Sequence, residues 1–341
     1  MRRRQLLPCL AAAVLAGCRN RTRSPRRLRV GLMPRFTLAP LYLADELGFF
    51  REAGLEVEFH PSPQSAQMLP LLASGQVQVG MVSPTPGFIN AALKGARIKV
   101  VAARDIAAPG CQGGGAIFGN RQAFPQGLRD LRLLKGKRVA IATQAGVGAF
   151  LLDRALEFGG LTTRDVTLII MRVPEATVAV SAGRIDAVAA VDLEKDLDYV
   201  SRNIIRSVTF SELLPNYQYS FIMFGSALLE GDPEIGTAFL SAYLRGVQEY
   251  RAGKTPRALE ELARAAHHDP AATRAACREG TSRDGRLDRA SIQRFVDWAA
   301  KKGFIPRAVD ASELIDTRFV EEANRRLERR LTAWRVQDAR S

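Results

Sequence analysis

Histidine and cysteine are scarce in this chain of 341 residues, which contains three His and four Cys. Two of the cysteines, Cys9 and Cys18, fall within the first 18 residues. The other two, Cys111 and Cys277, stand 166 residues apart and belong to no C-x-x-C pair. Because a structural metal site needs several ligands at matched spacing, we expect neither a metal site nor a cofactor. Whether Cys111 and Cys277 form a disulfide stays open.

The shortage of histidine also argues against catalysis. An enzyme needs a nucleophile with a base, or paired groups with tuned pKa values. His60 directly follows a predicted strand, whereas His267 and His268 stand together at the end of a helical stretch. A lone histidine in such a place is more often a polar contact than a catalyst. The sequence therefore predicts no catalytic residues and no enzymatic activity.

The folded part of the chain lacks a strong charge, although the net charge is +14. Residues 1–27 hold eight Arg and no acidic residue, and residues 325–341 hold six Arg against two acids. These two ends carry about +12 together, which leaves about +2 for the whole remainder. A nucleic-acid-binding protein carries a basic face on its folded domain. We therefore expect no nucleic-acid partner.

The amino-terminal residues have the order of a secretory signal. Arg2, Arg3 and Arg4 precede an apolar run from Leu6 to Ala16, which is followed by Gly17 and Cys18. A run of about eleven residues is too short to span a membrane, which takes roughly 20. The tetrad Leu15-Ala16-Gly17-Cys18 resembles the bacterial lipobox, in which the cysteine is acylated and becomes the first mature residue. Residues 1–17 are thus predicted to be a lipoprotein signal peptide, with lipid on Cys18 and a basic tether over 18–27. The export route, Sec or twin-arginine, and the inner or outer membrane destination stay open.

An internal repeat predicts the architecture. A strand at Arg29–Leu32, a helix from Pro40 to Phe50 and a strand at Leu55–Phe59 recur about 109 residues later. The second copy has a strand at Arg138–Ile141, a helix at about Val147–Phe158 and a strand at Val166–Met171, and each copy continues with a further helix and an apolar strand. Apolar strands that alternate with helices indicate parallel sheets covered on both faces. Two such units in tandem predict two α/β lobes.

Polar loops follow the predicted strands. In open α/β sheets, ligands bind beyond the carboxyl ends of the strands, where helix N-termini direct free N–H groups outward. The expected ligand-binding residues all come from these loops. In the first half they are Arg35, Phe36, Ser62, Gln64, Ser65, Ser83, Pro84 and Thr85, and in the second half Gln144, Gly146, Val147, Gly148, Glu175 and Asp192.

The chain resembles the nitrate/sulfonate/taurine-type substrate-binding proteins of ABC transporters, which are related to the thiamine-pyrimidine-precursor group. The resemblance covers roughly residues 28–325. The segments that carry it are Ala39-Pro40-Leu41-Tyr42-Leu43-Ala44, Gly48-Phe49-Phe50-Arg51-Glu52-Ala53-Gly54-Leu55, Ala73-Ser74-Gly75, Leu134-Lys135-Gly136-Lys137-Arg138-Val139, Ala182-Gly183-Arg184-Ile185-Asp186-Ala187 and Asp316-Thr317-Arg318-Phe319. Two departures leave the ligand unspecified: Gln78 stands where the family usually has Asp, and Asp192-Leu193 where it often has Glu-Pro.

The resemblance implies the type II periplasmic-binding-protein fold, with two lobes, a ligand cleft and a hinge of two chain crossings. We expect lobe I at 28–106 plus 222–341, including extra C-terminal helices, and lobe II at 107–221. The implied function is capture of a small organic solute by lobe closure and delivery to an ABC permease and its ATPase, by a monomeric exported protein. Two alternatives stay open: a ligand-sensing lipoprotein without a transport role, and a pyrimidine-synthase-like enzyme. The related synthases carry a Cys-rich segment that this chain lacks.

Lipid on Cys18 is directly testable. We expect Cys18→Ala to move the protein from the membrane fraction to the soluble exported fraction, because the acylated residue is lost. Fractionation and intact-mass measurement check this. A wild-type protein that is already soluble and has no acyl mass would show that the tetrad is not a lipobox.

Overall fold

A computed structural model of the chain describes residues 26–33, 36–62, 65–111, 115–191, 203–260 and 278–338. The strands are β1 (Arg26–Leu32), β2 (Leu55–Pro61), β3 (Val79–Val82), β4 (Lys99–Ile106), β5 (Ala116–Asn120), β6 (Arg138–Ile141), β7 (Thr167–Ile170), β8 (Ala187–Ala190), β9 (Ile204–Thr209) and β10 (Gln218–Phe224). The helices are α1 (Ala39–Glu46), α2 (Phe49–Glu52), α3 (Ser65–Ala73), α4 (Pro86–Leu93), α5 (Val147–Phe158), α6 (Val173–Ser181), α7 (Phe210–Leu213), α8 (Ser226–Leu229), α9 (Pro233–Arg251), α10 (Arg289–Lys301) and α11 (Arg318–Asp338).

The strands form two five-stranded sheets of the same design. The first has the order β2-β1-β3-β10-β4 and the second the order β7-β6-β8-β5-β9. In each sheet three parallel strands from one half of the repeat lie beside one antiparallel strand, which is β10 in the first sheet and β5 in the second. Every residue of β3, β5, β8 and β10 is buried, as expected for strands with helices on both faces.

The repeat extends to individual hydrogen bonds at the amino ends of the strands. Gln78 Oε1 accepts from the N–H of Arg29 at 2.9 Å, and its own N–H donates to Arg29 O at 3.0 Å. In the second half, Asp186 Oδ2 accepts from the N–H of Arg138 at 2.7 Å, and its N–H donates to Arg138 O at 3.0 Å. Gln78 thus occupies a structural position that Asp186 fills in the second half.

The chain passes from the first sheet to the second between Ile106 and Ala116 and returns between Thr209 and Gln218. The two passages are hydrogen-bonded to each other. Ala107 N–H donates to Tyr217 O and Asn216 N–H donates to Ala107 O, both at 2.8 Å. Asn216 has a φ of 62°, in the left-handed region that asparagine tolerates better than most residues. These bonds hold the two crossings side by side.

The C-terminal helices distribute over both sheets. Phe239, Tyr243 and Val247 of α9 are buried, so this face of the helix belongs to the core. With α1, α2 and α11, helix α9 covers one face of the first sheet. A second and larger core cluster runs from the other face of that sheet through α10 to α5 and the second sheet. Helix α10 therefore contacts the first sheet and also α5 of the second lobe, whereas we expected the C-terminal helices to pack on the first lobe.

The helix predicted from Pro40 to Phe50 is interrupted. It ends at Glu46 and a short second helix begins at Phe49, because Gly48 between them has a φ of 76°. That left-handed conformation is available to glycine at little cost and is incompatible with a continuing helix. The break lets Phe50 stack on Phe239 of α9 at a centroid distance of 5.2 Å.

Cys111, in the first crossing, is disulfide-bonded. A Cβ placed on Gly280 would lie 3.5 Å from its Sγ, so the segment that begins at Arg278 runs beside this cysteine. The other three cysteines, including Cys277, lie outside the described residues. The partner of Cys111 therefore lies among these three cysteines, and the sequence left its pairing with Cys277 open.

The second crossing contains a capping box whose stability depends on pH. Thr209 Oγ1 accepts from Glu212 N–H at 3.2 Å, and Glu212 Oε2 accepts from Thr209 N–H at 2.7 Å. A hydrogen bond from Arg129, aided by those from Thr209, lowers the pKa of Glu212 to about 2. Since a depressed carboxyl pKa favours folding only while the group is ionised, this stabilisation is present above the unfolded pKa of about 4.3 and is lost as the pH falls through about 2.

We expect Glu212→Ala to lower the free energy of unfolding by about 1 kcal/mol at pH 7, or about 2 to 4 °C in melting temperature. The difference from the wild type should narrow as the pH falls from about 4.3 to about 2. Thermal melts across this range check it. Glu230→Ala is the matched control, because exposed Glu230 pairs with Arg97 at 2.6 Å and caps the C-terminus of α8 through its backbone alone. An effect no larger than that of the control would contradict the role of the box.

Candidate functional site

The carboxyl ends of the parallel strands define the candidate site. Strands β1, β2 and β3 end at Leu32, Pro61 and Val82, and all three ends lie at one edge of the first sheet. Strands β6 and β7 end at Ile141 and Ile170 at the corresponding edge of the second sheet. Because both crossings leave and enter the sheets at these same edges, the two edges lie on the side where the sheets are joined. Loops that follow the strands are thus brought together.

At the first sheet, the predicted site residues occupy the loops after β2 and β3. Ser62 is buried, with its N–H donating to Leu32 O at 2.8 Å, so that the loops after β1 and β2 are tied together. Ser62 Oγ lies 3.2 Å from Gln67 Oε1. Ser83 and Thr85 are half-buried, and Pro84 between them is buried. Thr85 Oγ1 caps α4 by accepting from Phe88 N–H at 3.3 Å.

Four further residues of this half are predicted to bind the ligand: Arg35, Phe36, Gln64 and Ser65. Arg35 and Gln64 lie outside the described residues. Phe36 begins a short 3₁₀ helix over Phe36–Leu38, and Ser65 is the first residue of α3. For these two the structure fixes the backbone at the carboxyl edge of the sheet, and their side-chain roles stay predictions.

At the second sheet, the predicted residues surround the start of α5. Gln144 is exposed, Gly146 and Gly148 are half-buried, and Val147 is buried. Gly146 is the N-cap residue, and no side chain caps the helix. A Cβ on Gly148 would stand 3.2 Å from Ala189 O, so glycine lets α5 start close against β8. The first N–H groups of a helix have no partner within it, and here no side chain takes them.

Glu175 and Asp192 are the last two predicted site residues of the second half. Glu175 lies in the first turn of α6, is exposed and stands 3.7 Å from Arg172. Its charge is therefore balanced by a neighbour on the same helix, although the sequence placed it at the end of a strand. Asp192 lies outside the described residues.

The structure adds one residue that sequence reasoning missed at the first edge. The hydroxyl of Thr37 is buried and has no hydrogen-bond partner among the residues that the structure describes. A buried hydroxyl without a partner costs free energy unless something satisfies it. Thr37 stands two positions after Arg35, so its place in the loop after β1 was the available signal.

A buried ion pair ends β4 next to the first crossing and was also missed. Arg104 Nη2 lies 2.8 Å from Asp105 Oδ2, and both side chains are buried. Burial raises the pKa of Tyr243, and the neighbouring Asp105 raises it further, so this phenol stays protonated. The signal in the sequence was an Arg-Asp pair inside the otherwise apolar run of residues 100–108.

The electrostatics of the site favour negative charge. Helices α1, α4, α5 and α6 all begin at the two carboxyl edges, and α1, α5 and α6 have no side-chain cap. A helix N-terminus carries the equivalent of about half a positive charge. Of the three uncapped helices, α1 and α6 have a Pro in the first two positions, which removes one donor. Helix α5 has none and offers the largest set of free N–H groups.

The described residues contain no group of three or more His, Cys, Asp or Glu that could hold a metal ion. Among the same residues, no helix has both the length and the apolar character needed to cross a bilayer.

The two-sheet architecture is that of the type II periplasmic binding proteins. Its topology matches the periplasmic aliphatic sulphonate binding protein SsuA from Escherichia coli with a TM-score of 0.69 and 19% identity, covering 86% of this chain and 93% of that one. It also matches the periplasmic nitrate-binding protein NrtA from Synechocystis PCC 6803 with a TM-score of 0.67 and 15% identity, covering 89% of each chain. The fold predicted from the sequence is confirmed.

A family model described as NMT1/THI5 like matches residues 35–253, and the chain belongs to this family. A curated relative, the nitrate import ATP-binding protein NrtC of Synechococcus elongatus, is 27% identical over 230 residues. The match takes in 64% of this chain and 34% of that relative, so the chain spans about a third of its length. The resemblance to the nitrate- and sulfonate-type substrate-binding proteins is thereby confirmed.

Proposed function

We propose that the protein is an exported solute-binding protein that captures a small organic anion between its two sheets and delivers it to an ABC importer. The observation that carries the proposal is the arrangement of the two carboxyl edges, which lie on the same side of the molecule, where the two crossings join the sheets. Solutes bind at such edges in open α/β sheets. The family membership and the fold shared with sulphonate- and nitrate-binding proteins support it.

The anionic character of the solute is argued from the helix N-termini. Free N–H groups at the start of α5 favour a carboxylate, sulfonate or nitrate in their path. The pairing of Glu175 with Arg172 reduces the repulsion that an acidic residue at this edge would otherwise cause. Arg35, in the loop after β1, would add a guanidinium with a fork of donors, and Phe36 would cover the apolar portion of the same solute.

The partners and the location follow from the same proposal. The expected lobes are 28–106 plus 222–341 for lobe I and 107–221 for lobe II. Because all of β10 (Gln218–Phe224) lies in the first sheet, we place the second boundary at the crossing before Gln218. The closed form is recognised by an ABC permease with its ATPase. Lipid on Cys18 anchors the monomer, either to the outer face of the cytoplasmic membrane or facing the periplasm. The protein acts by binding and not by catalysis, so no bond in the solute changes. A ligand sensor that reports to a membrane partner is the second candidate, since it would use the same site.

Calorimetry with short alkanesulfonates, nitrate and a neutral aminopyrimidine tests the site. We expect one anion to bind at a single site and Arg35→Ala to weaken that binding about 30-fold or more, because a charge-assisted contact in a closed cleft is worth about 2 to 5 kcal/mol. Arg27→Ala is the matched control. Arg27 is exposed, lies at the amino end of β1, away from the loop that contains Arg35, and pairs with Glu56 at 3.3 Å. Binding of the neutral compound alone, or an Arg35→Ala affinity within about threefold of the wild type, would contradict the anion site.

Small-angle X-ray scattering tests lobe closure. With the tightest-binding anion at saturation, we expect a smaller radius of gyration than without it, because contacts from the second lobe are gained only on closure. Calorimetry on the same sample confirms saturation. A radius that does not change at full occupancy would rule out closure as the binding mechanism.

A further inference from the structure

The feature that the proposed function leaves unexplained is a buried carboxylate between the sheets. Asp153 lies in the middle of α5 and is 4% exposed. Its Oδ2 accepts from Trp298 Nε1 at 3.1 Å and from Arg154 Nη2 of the same helix at 3.3 Å. Its Oδ1 accepts from Lys302 Nζ at 2.5 Å. Trp298 lies in α10, and Lys302 directly follows that helix. A charge that is buried to this degree is held only where its partners compensate for lost water.

Aromatic rings surround this contact. Phe150 lies three residues before Asp153, on the same face of α5. Its ring centroid lies 5.5 Å from that of Trp298 and 5.9 Å from that of Phe295. The same ring lies 5.3 Å from that of Tyr217, in the second crossing. The contact between α5 and α10 is therefore packed directly against the place where the chain crosses between the sheets.

The segment that contains α10 is fixed to the first sheet by separate bonds. Gln218, the first residue of β10, donates its N–H to Ser291 Oγ at 3.0 Å and its Nε2 to Arg286 O at 2.8 Å. Gln218 Oε1 accepts from Asp288 N–H at 2.8 Å. Asn90 Nδ2 of α4 donates to Phe304 O at 3.1 Å. Helix α10 is thus attached to the first sheet at both of its ends.

We infer that α10 is a third, non-covalent connection between the lobes, and that Asp153 is a positioning residue for the ligand-binding helix α5. The N-terminus of α5 lies at the candidate site, and the middle of the same helix is held by Trp298 and Lys302. Because the contact adjoins the second crossing, it restricts opening and closing to rotation about this region. This inference extends the proposed closure mechanism, but its first test needs no ligand.

Pulsed electron–electron double resonance between spin labels at Lys94 and Arg184 measures the distribution of distances between the lobes. Both residues are exposed, Lys94 after α4 of the first sheet and Arg184 before β8 of the second. Labels attached through ketone-bearing amino acids leave Cys111 in its disulfide. Without ligand, we expect the distribution to be at least about 1.5-fold wider in Asp153→Asn than in the wild type. Trp298→Phe, which keeps an aromatic ring but removes the N–H donor and part of the indole volume, should also widen it.

Lys301→Gln is the matched control. Lys301, the last residue of α10, faces Glu157 of α5 at 3.6 Å, but this pair is exposed, and exposed pairs contribute little. The substitution leaves in place the pair between Glu157 and Arg154, a residue that also contacts Asp153. The control should leave the distribution unchanged. Distributions of equal width in the control, Asp153→Asn and Trp298→Phe would overturn the inference, even if the melting temperatures of the last two fall, because the contact would then only add packing.

A second readout connects the contact to binding. For the anion found by calorimetry, we expect Asp153→Asn to weaken binding about 3- to 10-fold, because the loosened α5 must be ordered again on binding. Affinity equal to that of Lys301→Gln would overturn the positioning role of Asp153. If no anion binds the wild type while the spin-label distances still widen, the proposed function fails and the connection through α10 stands.

Discussion

The antiparallel strand that each sheet receives from a chain crossing is the constraint on which the rest of this structure depends. Strand β10 returns from the second half and inserts between β3 and β4, and β5 takes the same place between β8 and β9. Since an antiparallel neighbour must begin where the parallel strands end, both crossings lie at carboxyl edges. The candidate site, the hydrogen-bonded pair of crossings and the facing loops all follow from this arrangement.

The repeated part of the fold was predictable because short-range sequence patterns determine it. Apolar runs near Val30, Val79, Val139 and Val188 indicated buried parallel strands, and each proved to be one. The positions of the loops followed from the strand ends. The same logic located α5 and its uncapped start at Gly146, because a Gly-rich stretch directly after a buried strand predicts a helix N-terminus at the carboxyl edge.

What the sequence left undetermined depends on contacts between distant residues. No local pattern indicates that Asp153 would be buried against Trp298, which is 145 residues away. Asp153 stands in an amphipathic helix where an acid usually faces water. Likewise, the chain order does not say which neighbour β10 takes, since strand pairing is decided by the whole sheet. Which solute binds depends on the side chains of Arg35 and Asp192, and both residues lie outside the described part of the chain.

Hydrogen–deuterium exchange of the protein with and without its tightest-binding anion tests the central claim, that the solute lies between the two carboxyl edges. We expect slower exchange at both edges at once: at Val147 and Gly148, where α5 begins at the edge of the second sheet, and in the segments that follow β1 and β3 of the first sheet. Protection confined to one sheet, or located away from the strand ends, would contradict it.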